Sequence, residues 1–160
     1  MGLGSHTHAL ITGGSGSGKS QAILFTLGRM LKECHEHGLN VELYLCDFKY
    51  SEDYQFLSDA SYPHYFGGLD CYNGIMEFYH NFSETRNKQG QDKTKHHFLI
   101  VDEYQALITY HTMKDKQDKT KYSADILSAI AEILMMGRNT QSGVWHLWVV
   151  TQVASATLFS

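Results

Sequence analysis

Eight consecutive residues, Gly13-Gly14-Ser15-Gly16-Ser17-Gly18-Lys19-Ser20, have the types and spacing of a phosphate-binding loop, G-x-x-x-x-G-K-[ST]. The chemistry comes from the backbone as much as from the side chains. Glycines let the chain curl with several N–H groups aimed at one centre, and a helix starting straight afterwards adds partial positive charge. Lys19 would then reach the β- and γ-phosphates of a nucleoside triphosphate, and the Ser20 hydroxyl would sit on Mg²⁺. A glycine- and serine-rich linker has the same composition, so the flanks decide. Ala9-Leu10-Ile11-Thr12 reads as a short buried strand, and apolar residues recur at helical spacing from Gln21 to Cys34.

Two further places offer matching chemistry. Phe98-Leu99-Ile100-Val101 is a hydrophobic strand that ends in Asp102-Glu103. An acid at that point can hold Mg²⁺ from the side opposite the loop, and a second carboxylate beside it can polarise an attacking water. Strands also end in solvated acids for no chemical reason; it is the phosphate loop that favours the functional reading. Gln152 follows the apolar run Val144–Thr151, so its amide would emerge at the carboxyl edge of a sheet. There it could sense a γ-phosphate, orient water, or be an ordinary loop glutamine.

These residues need elements to position them. A helix is expected over 19–37, with Ile23, Leu27, Met30, Leu31 and Cys34 as its core stripe and Gly38 as its stop. Asn40–Cys46 reads as a strand ending in Asp47-Phe48-Lys49. Ser51 reads as the cap of a short helix that uses Tyr54, Phe56 and Leu57. Tyr62–Phe66 is expected to be a third strand, marked as an edge by Pro63 and broken by Gly67-Gly68. Asp70 is expected to cap a helix with Ile75, Phe78, Tyr79 and Phe82 on its apolar face, followed by a polar loop from Arg86 to Lys95. Tyr104–Tyr110 reads as helix and the charged Met113–Lys121 as a mobile loop. Ser123 then caps a helix with Ile126, Leu127, Ile130, Ile133 and Leu134 on one side, closed by Gly137. Strands alternating with helices predict an α/β fold, a mostly parallel sheet with helices on both faces, as one domain over residues 1–160.

Composition narrows the class. An apolar share of 42% and a charged share of 19% are those of a globular chain, and no run approaches the roughly 20 apolar residues of a membrane span. The first residues have neither a basic nor an apolar signal region, and Cys34, Cys46 and Cys71 read as free buried thiols of a reducing cytoplasm. A net charge of −4 argues against a chain that coats nucleic acid, while leaving room for a local basic loop. The histidine pairs His6/His8, His35/His37 and His96/His97 lack the company of a zinc site and read as surface or core histidines.

The run His8–Ser20 resembles the phosphate loop of the FtsK/SpoIIIE family of motor ATPases. Asp47-Phe48-Lys49 is similar to that family's Asp-Pro-Lys-type strand end, and Phe98–Tyr104 to its Val-Val-Val-Asp-Glu-Phe segment. Gly137-Arg138-Asn139 followed by Gly143–Gln152 resembles its Gly-Arg and Gly-Ile-His-Leu-Ile-Leu-Ala-Thr-Gln blocks. The resemblance implies a RecA-like P-loop NTPase core of the FtsK/HerA group, binding ATP and Mg²⁺. It implies a homo-oligomeric ring, commonly a hexamer, that pumps double-stranded DNA in chromosome segregation or in conjugative and mobile-element transfer. By the same resemblance Lys19 and residues 13–20 bind phosphate, Ser20 and Asp102 organise Mg²⁺, Glu103 is the catalytic acid and Gln152 the sensor. Arg138 is a candidate for the positive group that a neighbouring subunit delivers.

The sequence departs from the family in three respects. Asp47-Phe48-Lys49 lacks the proline, further motor strands are missing on both flanks, and no membrane anchor is present. The chain is therefore expected to be a core fragment, truncated at both ends, of a cytoplasmic motor whose intact form is anchored only through segments absent here. Polypeptide-pumping secretion ATPases, a nucleotide-binding module without turnover and a small-molecule kinase are the competing readings; a kinase lid would need more than the three arginines available.

Overall fold

The apolar runs pair with one another in parallel throughout. The computed structural model describes residues 8–14, 16–86, 88, 92–137 and 143–152. Within them the strands are β1 (His8–Thr12), β2 (Asn40–Asp47), β3 (Tyr65–Gly67), β4 (Lys95–Asp102) and β5 (Trp145–Thr151). The helices are α1 (Lys19–Glu36), α2 (Gln55–Asp59), α3 (Cys71–Arg86), α4 (Tyr104–Asp118) and α5 (Tyr122–Met136). The strands form one five-stranded sheet in the order β1-β5-β4-β2-β3, and every neighbouring pair is parallel. The fold is thus α/β with helices flanking an all-parallel sheet. Among the described residues no helix is long and apolar enough to cross a membrane.

Side chains alternate strictly across this sheet, as the two-residue strand period requires. Leu43, Leu45, Phe98, Ile100 and Val150 point to one side and meet Ile23, Leu27, Met30 and Cys34 of α1. Tyr44, Cys46, Leu99, Val101, Trp145, Leu147 and Val149 point to the other and meet α3, α4 and α5. Both sides are covered, which is why the strands read as continuous apolar runs. The three cysteines are free and buried. Gly38 ends α1 as expected, with a φ of 68° that favours glycine, and Leu39 N donates to Cys34 O at 2.8 Å.

Several boundaries differ from the sequence reading. Residues 113–118 are not a loop: α4 continues through them to Asp118, and only 119–121 separate it from α5. The charged residues form the polar outside of a helix whose inner side carries Leu107 and His111. Ser123 is not the cap of α5, which starts at Tyr122; Asp115 of α4 does that work, accepting from Tyr122 N at 3.0 Å and Ser123 N at 2.8 Å. β3 spans Tyr65–Gly67 rather than 62–66, so Gly67 pairs with Asp47 instead of breaking the strand. β4 begins at Lys95, and Asp70 belongs to a 3₁₀ turn before α3, its carboxylate held by Asn73 Nδ2 at 2.7 Å. Leu31 and Phe56, expected in the core, are exposed: Leu31 lies beside the buried stripe of α1, and α2 buries none of its residues.

Candidate functional site

Parallel pairing puts the carboxyl ends of all five strands on one edge, where ligands of such sheets bind. Register fixes who meets whom there. Thr12 pairs with Thr151, and Asp47 with Asp102. Along the edge the order is therefore the loop after β1, then Gln152, then Asp102-Glu103, then Asp47–Lys49.

The loop after β1 has the form its glycines allow. Gly16 and Gly18 have φ of 74° and 77°, in the region that favours glycine. A Cβ on Gly13 would lie 2.7 Å from Ser17 Oγ and 3.2 Å from the Lys19 stem, so a side chain there would push both aside. Ser17 N donates to Gly14 O at 3.2 Å, closing the turn. α1 then starts with Gly18 as N-cap, no capping side chain and no acid in its first turn. Its positive end is left for an external anion. Lys19 lies back over the loop, its Nζ donating to Gly13 O and, at 2.8 Å, to Gly14 O.

Facing this loop across a cleft of about 270 Å³ are Asp53, Asp102 and Glu103, which line it with Gly16–Gln21. Asp102 is buried, and its parity with Ile100 turns it to the α1 side. Its Oδ1 accepts from Glu103 N at 2.8 Å. Burial pushes the Asp102 carboxyl above its usual range, and the neighbouring Glu103 and Asp47 charges add to this against the Glu103 N–H and Tyr54. A buried carboxylate held above its ordinary pKa is one that a cation would stabilise. Asp47, alongside, is raised for the same first cause, but its oxygens are used: Oδ1 accepts from Ser51 N at 3.0 Å and Oδ2 from Tyr65 Oη at 2.9 Å. Among the described residues no three His, Cys, Asp or Glu side chains converge as a metal site. A divalent cation here would rest on the Ser20 hydroxyl, the Asp102 carboxylate and a nucleotide's own oxygens, the hard oxygen donors that suit Mg²⁺.

Glu103 has a φ of 56°, uncommon for a residue with a side chain, and this bend starts α4. Its carboxylate pairs with Lys49 Nζ at 3.0 Å. A pair this exposed contributes about 0–1 kcal/mol to stability, so its main effect is to orient Glu103. Gln152 is exposed and does not line this cleft. It lines a neighbouring cleft of about 440 Å³ with Lys49, Glu103, Gln105 and Thr109. Glu103 is the residue the two clefts share. Ser15 and Arg138 lie outside the described residues.

Three residues here were not singled out for chemistry in the sequence; Asp53 read only as an acid at the start of the short helix after Ser51. Lys49 stood out only as part of a strand-end resemblance, and its pairing with Glu103 depends on β2 lying beside β4. Tyr54 read as a core residue of the short helix after Ser51. The Ser51 cap is present, with Asp53 N donating to Ser51 Oγ at 3.3 Å, and Tyr54 is fully buried. No local signal says that its ring ends beside Ser20 and Asp102. The histidines have structural surroundings: His96 Nδ1 and His146 Nε2 lie 2.8 Å apart under α1, and His97 stacks on Trp145 on the opposite side.

No family model matches the chain, and neither comparison with curated proteins nor comparison with solved structures finds a significant match.

Proposed function

We propose that the chain is the ATP-binding and ATP-hydrolysing core of a P-loop motor of the FtsK/SpoIIIE kind, acting on double-stranded DNA as part of a homo-oligomeric ring. The observation that carries the reading is a single cleft, lined on one wall by Gly16–Ser20 and on the other by Asp102 and Glu103. Residues this far apart in sequence meet at the carboxyl edge with complementary chemistry. The loop amides and Lys19 would hold the phosphates, and Ser20 and Asp102 would hold Mg²⁺, whose charge offsets that developing on the transferred group. Glu103 would take a proton from the attacking water as the γ-phosphoryl group passes to it and ADP leaves. Gln152, which lines the adjoining cleft together with Glu103, would orient that water from there. Lys116, Lys119 and Lys121 are exposed where α4 meets α5 and could contact DNA phosphates.

The test is binding and turnover of ATP in three proteins. The native chain should bind a fluorescent ATP analogue in Mg²⁺, and Lys19→Ala should weaken this by about ten- to a hundredfold, the worth of a charge-assisted contact. Glu103→Gln should keep the affinity and lower turnover by about 10²–10⁴ in the assembly that hydrolyses. Unchanged binding by Lys19→Ala would refute the site. Stimulation of hydrolysis by duplex DNA tests the cargo separately.

A further inference from the structure

We propose that the cleft between α3, the C-terminal half of α4 and the first turn of α5 seats an unpaired base of a single-stranded nucleic acid, with a neighbouring phosphate on Lys114. It shares no lining residue with the phosphate-loop cleft, so the proposal stands whether or not that cleft binds ATP. The cleft holds about 310 Å³, at the small end of ligand sites, which suits one ring system. Its walls include Tyr72, Tyr110, His111 and Tyr122, and its charged groups are Lys114 and Asp118.

The walls are aromatic and only partly covered. Tyr72 and Tyr122 meet edge to face at 4.5 Å, and the His111 ring lies 5.4 Å from Tyr110 and 5.7 Å from Tyr122, again at steep angles. Such an arrangement is ordinary in a closed core. Here, however, Tyr122 is 42% exposed and Tyr72 and Tyr110 are half-buried, so ring surface is open to the cleft. His111 is buried, and neither of its ring nitrogens has a hydrogen-bond partner in the protein. Interiors seldom leave a polar ring unpaired, and this one stands in the wall of a cavity.

Charge decides what carries the guest ring. Residues 114–121 hold four lysines and two aspartates, in a chain whose net charge is −4. Lys119 and Lys121 are exposed on either side of Thr120, itself part of the cleft. Two nearby acids are occupied within the protein: Asp115 caps α5, and Asp125 Oδ2 accepts from Tyr72 Oη at 3.1 Å. Asp118 lines the cleft as an acceptor for a ring N–H or amino group of the base. Every base has a π face, so stacking on tyrosine tolerates any sequence, and lysines hold the backbone that follows. In a duplex those faces are stacked on one another and only the phosphates are offered.

The experiment is fluorescence anisotropy of a labelled thymidine oligonucleotide with the full chain, without ATP, over a range of salt concentrations and beside a duplex of the same length. Tyr122→Ala should weaken binding of the single strand by about five- to a hundredfold, the usual loss when a stacking ring is removed, and leave duplex binding as it was. Tyr122→Phe keeps the ring and should keep the affinity. Lys114→Ala should lower the slope of log K against log salt for the strand by about 0.7, the share of one phosphate contact. Native affinity in Tyr122→Ala, or an equal loss on strand and duplex, overturns the proposal. So does a native chain that binds no strand at low salt. Thymidine monophosphate that competes as well as the strand would make this a site for free nucleotides and overturn it likewise. Thermal unfolding checks that Tyr122→Ala is folded; if it is not, the Lys114→Ala slope decides, and an unchanged slope overturns the proposal.

Discussion

On one side of the sheet Tyr44, Phe66, Phe78, Phe82 and Trp145 interlock with α3, α4 and α5; on the other, α1 and the turn bearing Tyr54 cover a smaller cluster around Leu43, Phe98 and Ile100. The first side is rich in aromatic edge contacts, Phe78 and Phe82 both meeting Trp145 at centroid distances of 5.3 and 5.5 Å. The second side reaches the carboxyl edge with Ser20, Tyr54 and Asp102. Strand parity assigns Asp47 and Asp102 to the α1 side as firmly as it assigns Leu43 and Leu45. Mass and chemistry are thus on opposite faces. The larger core holds the sheet in register, and the smaller one presents side chains to the cleft.

The strongest test of this division is Phe78→Ala. The side chain is fully buried, and its loss should cost about 3–5 kcal/mol in urea unfolding. ATP affinity of the protein that remains folded should be unchanged, whereas a matching loss of affinity would show that the two sides are not separable.

A smaller effect comes from acid. Burial holds His96, under α1, and His97 and His111, on the aromatic side, below the ordinary 6.5. The unfolded chain takes up protons near that value which the folded chain declines. Stability is therefore full above pH 6.5 and falls as pH drops below it, by at most about 1.4 kcal/mol per pH unit for each histidine. Urea midpoints at three pH values measure the slope. His111 has no partner on either ring nitrogen, so His111→Phe should raise stability and flatten part of the acid dependence. If the whole dependence vanishes with it, the His96–His146 contact under α1 contributes nothing.

The smallest effect is at the junction of α4 and α5. Asp115→Ala removes the carboxylate that caps α5 and should cost about 1 kcal/mol. Burial works against the ionised form, but hydrogen bonds from Ser123, Thr120 and the Ser123 and Tyr122 amides outweigh it and hold Asp115 down at about 2. Its contribution is present above 3.8, the unfolded value, and is lost as pH falls toward 2. Denaturation curves of the two proteins should differ fully at pH 6, less at pH 3, and converge only as the pH falls to about 2 and below.

Much of the fold was legible because it is written in local periodicity. The stripe Ile23, Leu27, Met30, Cys34 gives α1, and the apolar runs give β2, β4 and β5. Reading failed where a residue's role depends on a neighbour distant in sequence. Met113–Asp118 has the composition of a solvated loop, yet it is helical because the buried residues Tyr104, Leu107 and His111 already commit α4 to the core. Ser123 has the type of a cap, but Asp115 reaches α5 first, from a helix that only packing brings near. Leu31 and Phe56 fit an apolar pattern, but α1 buries a narrower stripe and the five-residue α2 buries none of its residues.

The shape of the loop after β1 was set by sequence, since Gly16 and Gly18 need only their own freedom of φ to build it and Lys19 only its place at a helix start. The proposed cation site is of another kind. Ser20, Asp102 and the Lys49–Glu103 pair come from three separate stretches of chain. They converge because parallel pairing in the order β1-β5-β4-β2-β3 gathers every strand end on one edge and register sets Asp47 beside Asp102. That order is decided by which apolar faces pack together over the whole sheet, and no segment carries it alone.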